Sequence, residues 1–204
     1  MQQRSLSILH ISDTHNRHRA MGTLPAADVL VHSGDITMNG TEQEVLDFLE
    51  WFCALPHRHK LFIAGNHDSY LYGATIEGLP AGCHYLCYSS VMIEGICFHG
   101  VPMFSEDRAN GCYETQIAGI PLKTDVLISH QPPLGFLDCS NRISYGSLSL
   151  LERVDSINPR LHLFGHIHAA YGEMQHKDTL FVNSSVMNDA YVLANKPHTI
   201  SIDR

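Results

Sequence analysis

Carboxylates, imidazoles and one carboxamide recur in short clusters along this sequence, most of them beside a glycine. The clusters are Asp13-Thr14-His15, Gly34-Asp35, Gly65-Asn66-His67-Asp68, Ser129-His130 and Gly165-His166-Ile167-His168. Oxygen and nitrogen donors of these types suit a borderline divalent cation such as Mn, Fe or Zn, and no cluster carries a thiolate. Asp13 and His15 stand two residues apart, as do His166 and His168, so in extended backbone each pair points to one side and presents two ligands together. The glycines before Asp35, Asn66 and His166 let the chain turn sharply and come close to an ion. Asp13, His15, Asp35, Asn66, His130, His166 and His168 together exceed the protein ligands that one ion takes. Two ions sharing an aspartate fit the count better. The chain has 15 histidines in 204 residues, which supports a search for such a site.

The segments before these clusters read as strands. Leu6–Ile11 leads to Asp13. Val29-Leu30-Val31 is apolar throughout, as in a strand covered on both faces, and leads to Ser33-Gly34-Asp35. Leu61–Ala64 leads to Gly65, Asp125–Ile128 to His130, and Leu161–Phe164 to Gly165. Thr41 with Glu44 forms a capping box ahead of Val45, Phe48, Leu49, Phe52 and Leu55 at helical spacing, and Pro56 closes that helix. The resulting βαβ order implies parallel pairing. Val91–Ile93 and Ile96–Phe98 flank Glu94-Gly95 as a hairpin. Ser149 with Glu152 predicts a second capped helix ending at Ile157, and Thr179–Val182 and His198–Ile202 predict two further strands. Residues 103–122 and 135–147 lack periodicity and read as surface loops. Ligands of open α/β sheets bind beyond the carboxyl ends of the strands, so the clusters should converge there.

The bulk composition narrows the function classes. A length of 204 residues fits one domain, here 1–204, large enough for a core without disulfides. The six cysteines form no CxxC pair and read as reduced, packed thiols. Met1-Gln2-Gln3-Arg4 leads directly into a strand-like run rather than a signal-peptide core, and no apolar run is long enough to span a bilayer. These readings predict a cytoplasmic protein with no membrane partner. The formal charge of −8 and the lack of a basic run beyond His57-Arg58-His59-Lys60 argue against extended nucleic acid as a partner.

The clusters, in this order, resemble the calcineurin-like metallophosphoesterase superfamily over residues 6–203. Leu30–Thr37, His130–Gly135 and Phe164–His168 are similar to the small metallophosphoesterase-domain-containing proteins, related to class III cyclic-nucleotide phosphodiesterases. Mammalian members of that group carry Gly at the position of His166, so this chain, which keeps the histidine, should have both metal sites complete. The resemblance implies an α/β fold, two mixed β-sheets face to face and flanked by helices. It implies one metal on Asp13, His15, Asp35 and His168, and a second on Asp35, Asn66, His130 and His166, with Asp35 bridging. His67 then lies beside the metals.

Two dications ~3.5–4 Å apart supply hydroxide near neutral pH and clamp the phosphate oxygens. The activity so implied is hydrolysis of a small phosphodiester, such as a cyclic nucleotide, with a metal-bridging hydroxide as nucleophile. Protonated His67 is expected to donate to the ester or leaving-group oxygen, oriented by Asp68 or another carboxylate. Asp68 reads equally as a helix cap. Asn66 and His67 are candidates for contact with the substrate, and Asn141 and Arg142 stand between phosphate contact and solvated loop. A phosphomonoesterase or protein phosphatase on the same metals, or a non-catalytic scaffold, are the competing readings. His10, His32 and His99 read as core histidines.

Overall fold

A computed structural model describes residues 5–204; the reading of Met1–Arg4 lies outside the described residues. β1 (Ser5–Ile11), β2 (Val29–His32), β3 (His59–Phe62) and β4 (Cys83–Tyr85) run parallel. The hairpin is β5 (Ser89–Ile93) and β6 (Ile96–Val101), turning through Glu94 and Gly95, both at positive φ. β7 (Val126–Ser129) pairs parallel with β6. A small ribbon, β8 (Cys139–Ser140) and β9 (Ile143–Ser144), precedes β10 (Leu161–Phe164), β11 (Gly172–His176), β12 (Thr179–Asn183) and β13 (His198–Asp203). One sheet has the order β13-β1-β2-β3-β4 and the other β11-β12-β10-β7-β6-β5. β13, β11 and β5 are the antiparallel members, so both sheets are mixed, as expected.

Alternation along each strand divides its apolar side chains between two layers. Leu6, Ile8, Val29, Val31, Leu61 and Ile63 meet Phe98, Val126, Ile128, Leu161, Leu163 and Val182 between the sheets. Leu9, Ile11, Leu30 and Phe62 face outward against α1 (Glu42–Ala54) through Val45, Phe48 and Phe52. Leu127, Phe164 and Phe181 do the same on the other side. Each fully buried phenylalanine there contributes about 1.5–3 kcal/mol. Helix, sheet, sheet and helix are therefore stacked in four layers.

The Thr41–Glu44 box is formed, with Thr41 Oγ1 accepting from the Glu44 amide and the Glu44 carboxylate accepting from the Thr41 amide. Three expectations about local structure are corrected. Residues 103–122 contain α2 (Ser105–Asn110) and α3 (Cys112–Ala118), parted by Gly111 at φ 76°. Each is too short to show a period, although Tyr113 and Ile117 are buried four residues apart. Helix α4 (Leu148–Ile157) is capped by Ser147, whose Oγ accepts from the Leu150 amide; Ser149 lies inside it. Residues 135–147 hold the β8–β9 ribbon, turned by Asn141 and Arg142 at φ 51° and 66°. Among the described residues no helix is long and apolar enough to cross a membrane.

Candidate functional site

The ends of β1, β2, β3, β7 and β10 meet at one edge of the sandwich. A ladder of main-chain bonds joins the segments that follow them. The Asp13 amide donates to Gly34 O, the His15 amide to Asp35 O, and the Gly165 amide to His130 O, at 3.0, 3.0 and 3.2 Å. Asp13, His15, Asp35 and His166 sit at φ 57°, 39°, 55° and 70°. The pairs Asp13/His15 and His166/His168 thus converge through left-handed turns, not by the alternation of an extended strand. Turns of this kind carry a backbone cost that functional sites often retain.

Close approach is what the glycines provide. A Cβ on Gly65 would lie 2.2 Å from Asp35 Oδ1, and one on Gly165 would lie 2.0 Å from Ser12 Oγ and 2.1 Å from Asp13 Oδ2. Gly165→Ala should therefore destabilise the fold by about 1–3 kcal/mol, the ordinary cost of overpacking. At ~2–4 °C per kcal/mol for a chain of this size, Tm should fall by roughly 2–12 °C. A melting curve that overlays the parent's would show that the two loops are free to separate.

Main-chain carbonyls fix the imidazoles. His15 Nδ1 faces Thr37 O at 3.2 Å, His130 Nδ1 faces Ser33 O at 2.9 Å, and His168 Nδ1 faces Asn188 O at 3.1 Å. His67 Nδ1 faces Met38 O at 2.8 Å. A carbonyl accepts only, so each Nδ1 carries a proton and, in the neutral ring, Nε2 presents a lone pair. Those lone pairs converge on other acceptors. His15 Nε2 lies 3.3 Å from His168 Nε2, and His130 Nε2 lies 3.3 Å from Asp35 Oδ2 and 3.1 Å from Asn66 Oδ1. Acceptors packed against acceptors call for cations among them. The donor set fits divalent metals in the same way, with neutral imidazole, carboxylate and carboxamide oxygen all available.

Asp35 is central. Its Oδ1 accepts from the His67 amide at 2.9 Å, which leaves Oδ2 facing His130 Nε2 at 3.3 Å and His15 Nε2 at 3.6 Å. Two groups of donors therefore share this carboxylate or lie beside it: Asp13, His15 and His168, and Asp35, His130 and His166. Asn66 joins the second group through His130. His67 comes within the same reach of His15 and Asp35. Asp13 accepts from the His166 amide at 3.1 Å and from Ser185 Oγ at 2.7 Å. Burial alone would raise the Asp35 carboxyl, but the neighbouring His130 overrides it and lowers it to about 2. Burial would likewise lower His130, yet the Asp35 charge lifts it to about 9, so with no ion between them a proton on Nε2 bridges the pair, and a metal cation would take that proton's place. His166, buried and beside His130, falls to about 4.

Two candidates stand elsewhere. The Asp68 carboxylate accepts from the amides of Gly65, Ile36 and Thr37 and from Thr37 Oγ1, at 2.7, 3.2, 2.9 and 2.8 Å. It ties the β2 and β3 loops together, and it neither orients His67 nor caps the Ser69–Leu71 turn through its side chain. Its burial and the nearby Asp35 raise it to about 6. Arg142 is exposed at the ribbon tip and does not line the site cavity, whereas Asn141 does. Consecutive left-handed residues project differently, which is why the neighbours part. His10 bonds Ser33 and Ser184, His32 bonds Thr14, and His99 bonds Ser90, as expected of core histidines.

Sequence reasoning missed Ser185 and Asn188. Ser184-Ser185 follows β12, and the strand-end rule applied to the other clusters would have found it. Asn188 acts through its backbone carbonyl, for which side-chain type gives no signal.

A cavity of about 370 Å³ opens over Asp35, Asn66, His67, His166 and His168, walled by Ser140, Asn141, Tyr145 and Tyr191. A family model described as calcineurin-like phosphoesterase matches residues 6–170. The chain is 35% identical over 228 residues to metallophosphoesterase domain-containing protein 1 of Homo sapiens, covering 94% of this chain and 69% of that protein. It is 34% identical over 215 residues to UPF0046 protein K07C11.7 of Caenorhabditis elegans, covering 94% and 73%. The solved structure of Vacuolar Protein Sorting 29 from Cryptosporidium parvum superposes with a TM-score of 0.51 at 12% identity, covering 98% of this chain and 86% of that one. That likeness is one of fold alone.

Proposed function

The chain belongs to the calcineurin-like phosphoesterase family, whose chemistry is metal-dependent hydrolysis of phosphoesters, and we propose that it hydrolyses small phosphodiesters with two divalent ions. The observation that carries this reading is the free Oδ2 of Asp35, set between His15 and His130. In this reading Asp13, His15, Asp35 and His168 hold one ion, and Asp35, Asn66, His130 and His166 hold the other. Mn, Fe and Zn all suit the donors. When bound, such ions activate water near neutral pH and stabilise charge on the phosphoryl oxygens.

The protein's own groups do the rest. The carbonyls of Thr37, Ser33 and Asn188 keep three imidazoles in the tautomer that presents Nε2 inward. Asn66 and His67 line the floor where a phosphoryl group would sit, and His67 in its doubly protonated form donates to the departing oxygen.

Diester preference is supported by the cavity wall. Among the described residues lining it there is no lysine or arginine, and Asp189 adds a negative charge. A monoester dianion gains less there than a diester monoanion. The six unpaired thiols support a cytoplasmic setting.

Purified protein titrated with Mn²⁺ should bind two ions per chain and hydrolyse bis(4-nitrophenyl) phosphate with a higher kcat/KM than 4-nitrophenyl phosphate. The reverse preference would favour a phosphomonoesterase, and turnover of neither would leave a scaffold.

A further inference from the structure

Asp189 and Tyr191, from the tip Asn188–Val192, line the cavity together with Asn66 and His67, and the conformation of that tip is costly. Tyr191 sits at φ 56°, a left-handed backbone that bulky side chains rarely adopt. Ordinary turn chemistry would place Asn or Gly there. The tip is held from several sides. Asn188 Oδ1 accepts from the amides of Ala190 and Val192 at 3.0 and 3.2 Å, and Asn188 O accepts from the Tyr191 amide at 2.9 Å. That same Asn188 carbonyl faces His168 Nδ1, so the tip is tied to the site.

The strain is not repaid by burial, since Tyr191 remains 42% exposed. Its ring instead stands edge-on to His15 and His168, with centroids 4.9 and 5.2 Å apart, and looks into the cavity. An aromatic ring held at a backbone cost beside the reacting position, in a cavity whose wall carries no lysine or arginine, is suited to a flat organic group.

Resting on the phosphodiesterase reading, we infer that Tyr191 is a specificity-determining residue that packs against an aromatic or heterocyclic substituent of the diester, the group that is retained when the other departs. The inference names a class of substituent, an aryl or nucleobase ring, over an alkyl one.

Two diesters with the same leaving group test it: bis(4-nitrophenyl) phosphate and methyl 4-nitrophenyl phosphate. The Mn²⁺-loaded protein should prefer the aryl diester in KM. Tyr191→Asn removes the ring and suits the left-handed backbone, so it should shrink that preference by about tenfold, within the range for aromatic stacking. It should do so with the metal content kept and with Tm equal or higher. Tyr191→Phe should retain the preference. A residue that merely props up His15 and His168 would give the opposite pattern, with falling Tm, lost metal or an equal loss on both diesters, and any of these overturns the inference.

Binding separates this from a failure of the phosphodiesterase reading. If neither diester turns over, calorimetry with phenyl phosphate and inorganic phosphate on the Mn²⁺-loaded protein decides. Tighter binding of phenyl phosphate that Tyr191→Asn abolishes upholds the inference, and equal binding of the two sinks it.

Discussion

Asp35→Asn should abolish turnover while leaving the protein folded. The substitution is nearly isosteric, and asparagine accepts the left-handed φ of 55° at this position at least as well as aspartate. The bond from the His67 amide to Oδ1 can be kept by the amide oxygen. What disappears is the charged Oδ2 between His15 and His130. Under the proposed function Asp35 would be a ligand to both ions, so the loss of its charge would weaken both sites at once. Charge stabilisation by metal ions is worth several kcal/mol in the transition state, and at ~1.4 kcal/mol per tenfold the rate should fall on the order of 10³-fold or more. Elemental analysis after desalting should find fewer than two ions per chain, and circular dichroism should match the parent. A variant that keeps both ions and the parental rate would remove Asp35 from the centre of the mechanism.

The reasons that made this site legible also explain what stayed hidden. The strand-end rule worked because it depends on topology alone: once five buried runs were seen to end in polar clusters, parallel pairing obliged most of those ends to meet. The glycines gave a second, steric signal, and Gly65 and Gly165 now abut the carboxylates of Asp35 and Asp13. Inference failed where the determinant was backbone. The left-handed turns at Asp13 and His166 do not show in residue type, so the spacing predicts the convergence through extended backbone where the structure makes it through turns. Asp68 adjoins His67 in sequence, which suggests a catalytic role as readily as a helix cap, yet its carboxylate faces the amides of Gly65, Ile36 and Thr37. Asn188 and Tyr191 lie beyond β12 in a stretch with no period and only ordinary turn residues. Helices α2 and α3 escaped for a related reason, since two buried residues four apart do not make a pattern.

His67→Ala should separate ion binding from proton transfer. The His67 ring is held by Met38 O on one nitrogen and packs at right angles to His15, with centroids 4.7 Å apart, so its remaining nitrogen is directed by structure and not by chance. Its donor atoms also fall within reach of His15 and Asp35, so geometry alone permits either a ligand or a proton donor. The two roles diverge in what the substitution does. A lost general acid lowers kcat by ~10²–10⁴-fold and leaves the ions in place. The deficit should also depend on the leaving group. 4-Nitrophenolate departs without help, so its diester should suffer least, while an alkyl alkoxide needs the proton and should suffer most. A steeper dependence of rate on leaving-group pKa in His67→Ala than in the parent, at equal metal content, is the expected signature. Loss of an ion with an unchanged slope would instead make His67 a ligand, and the proton would have to come from elsewhere in the cavity.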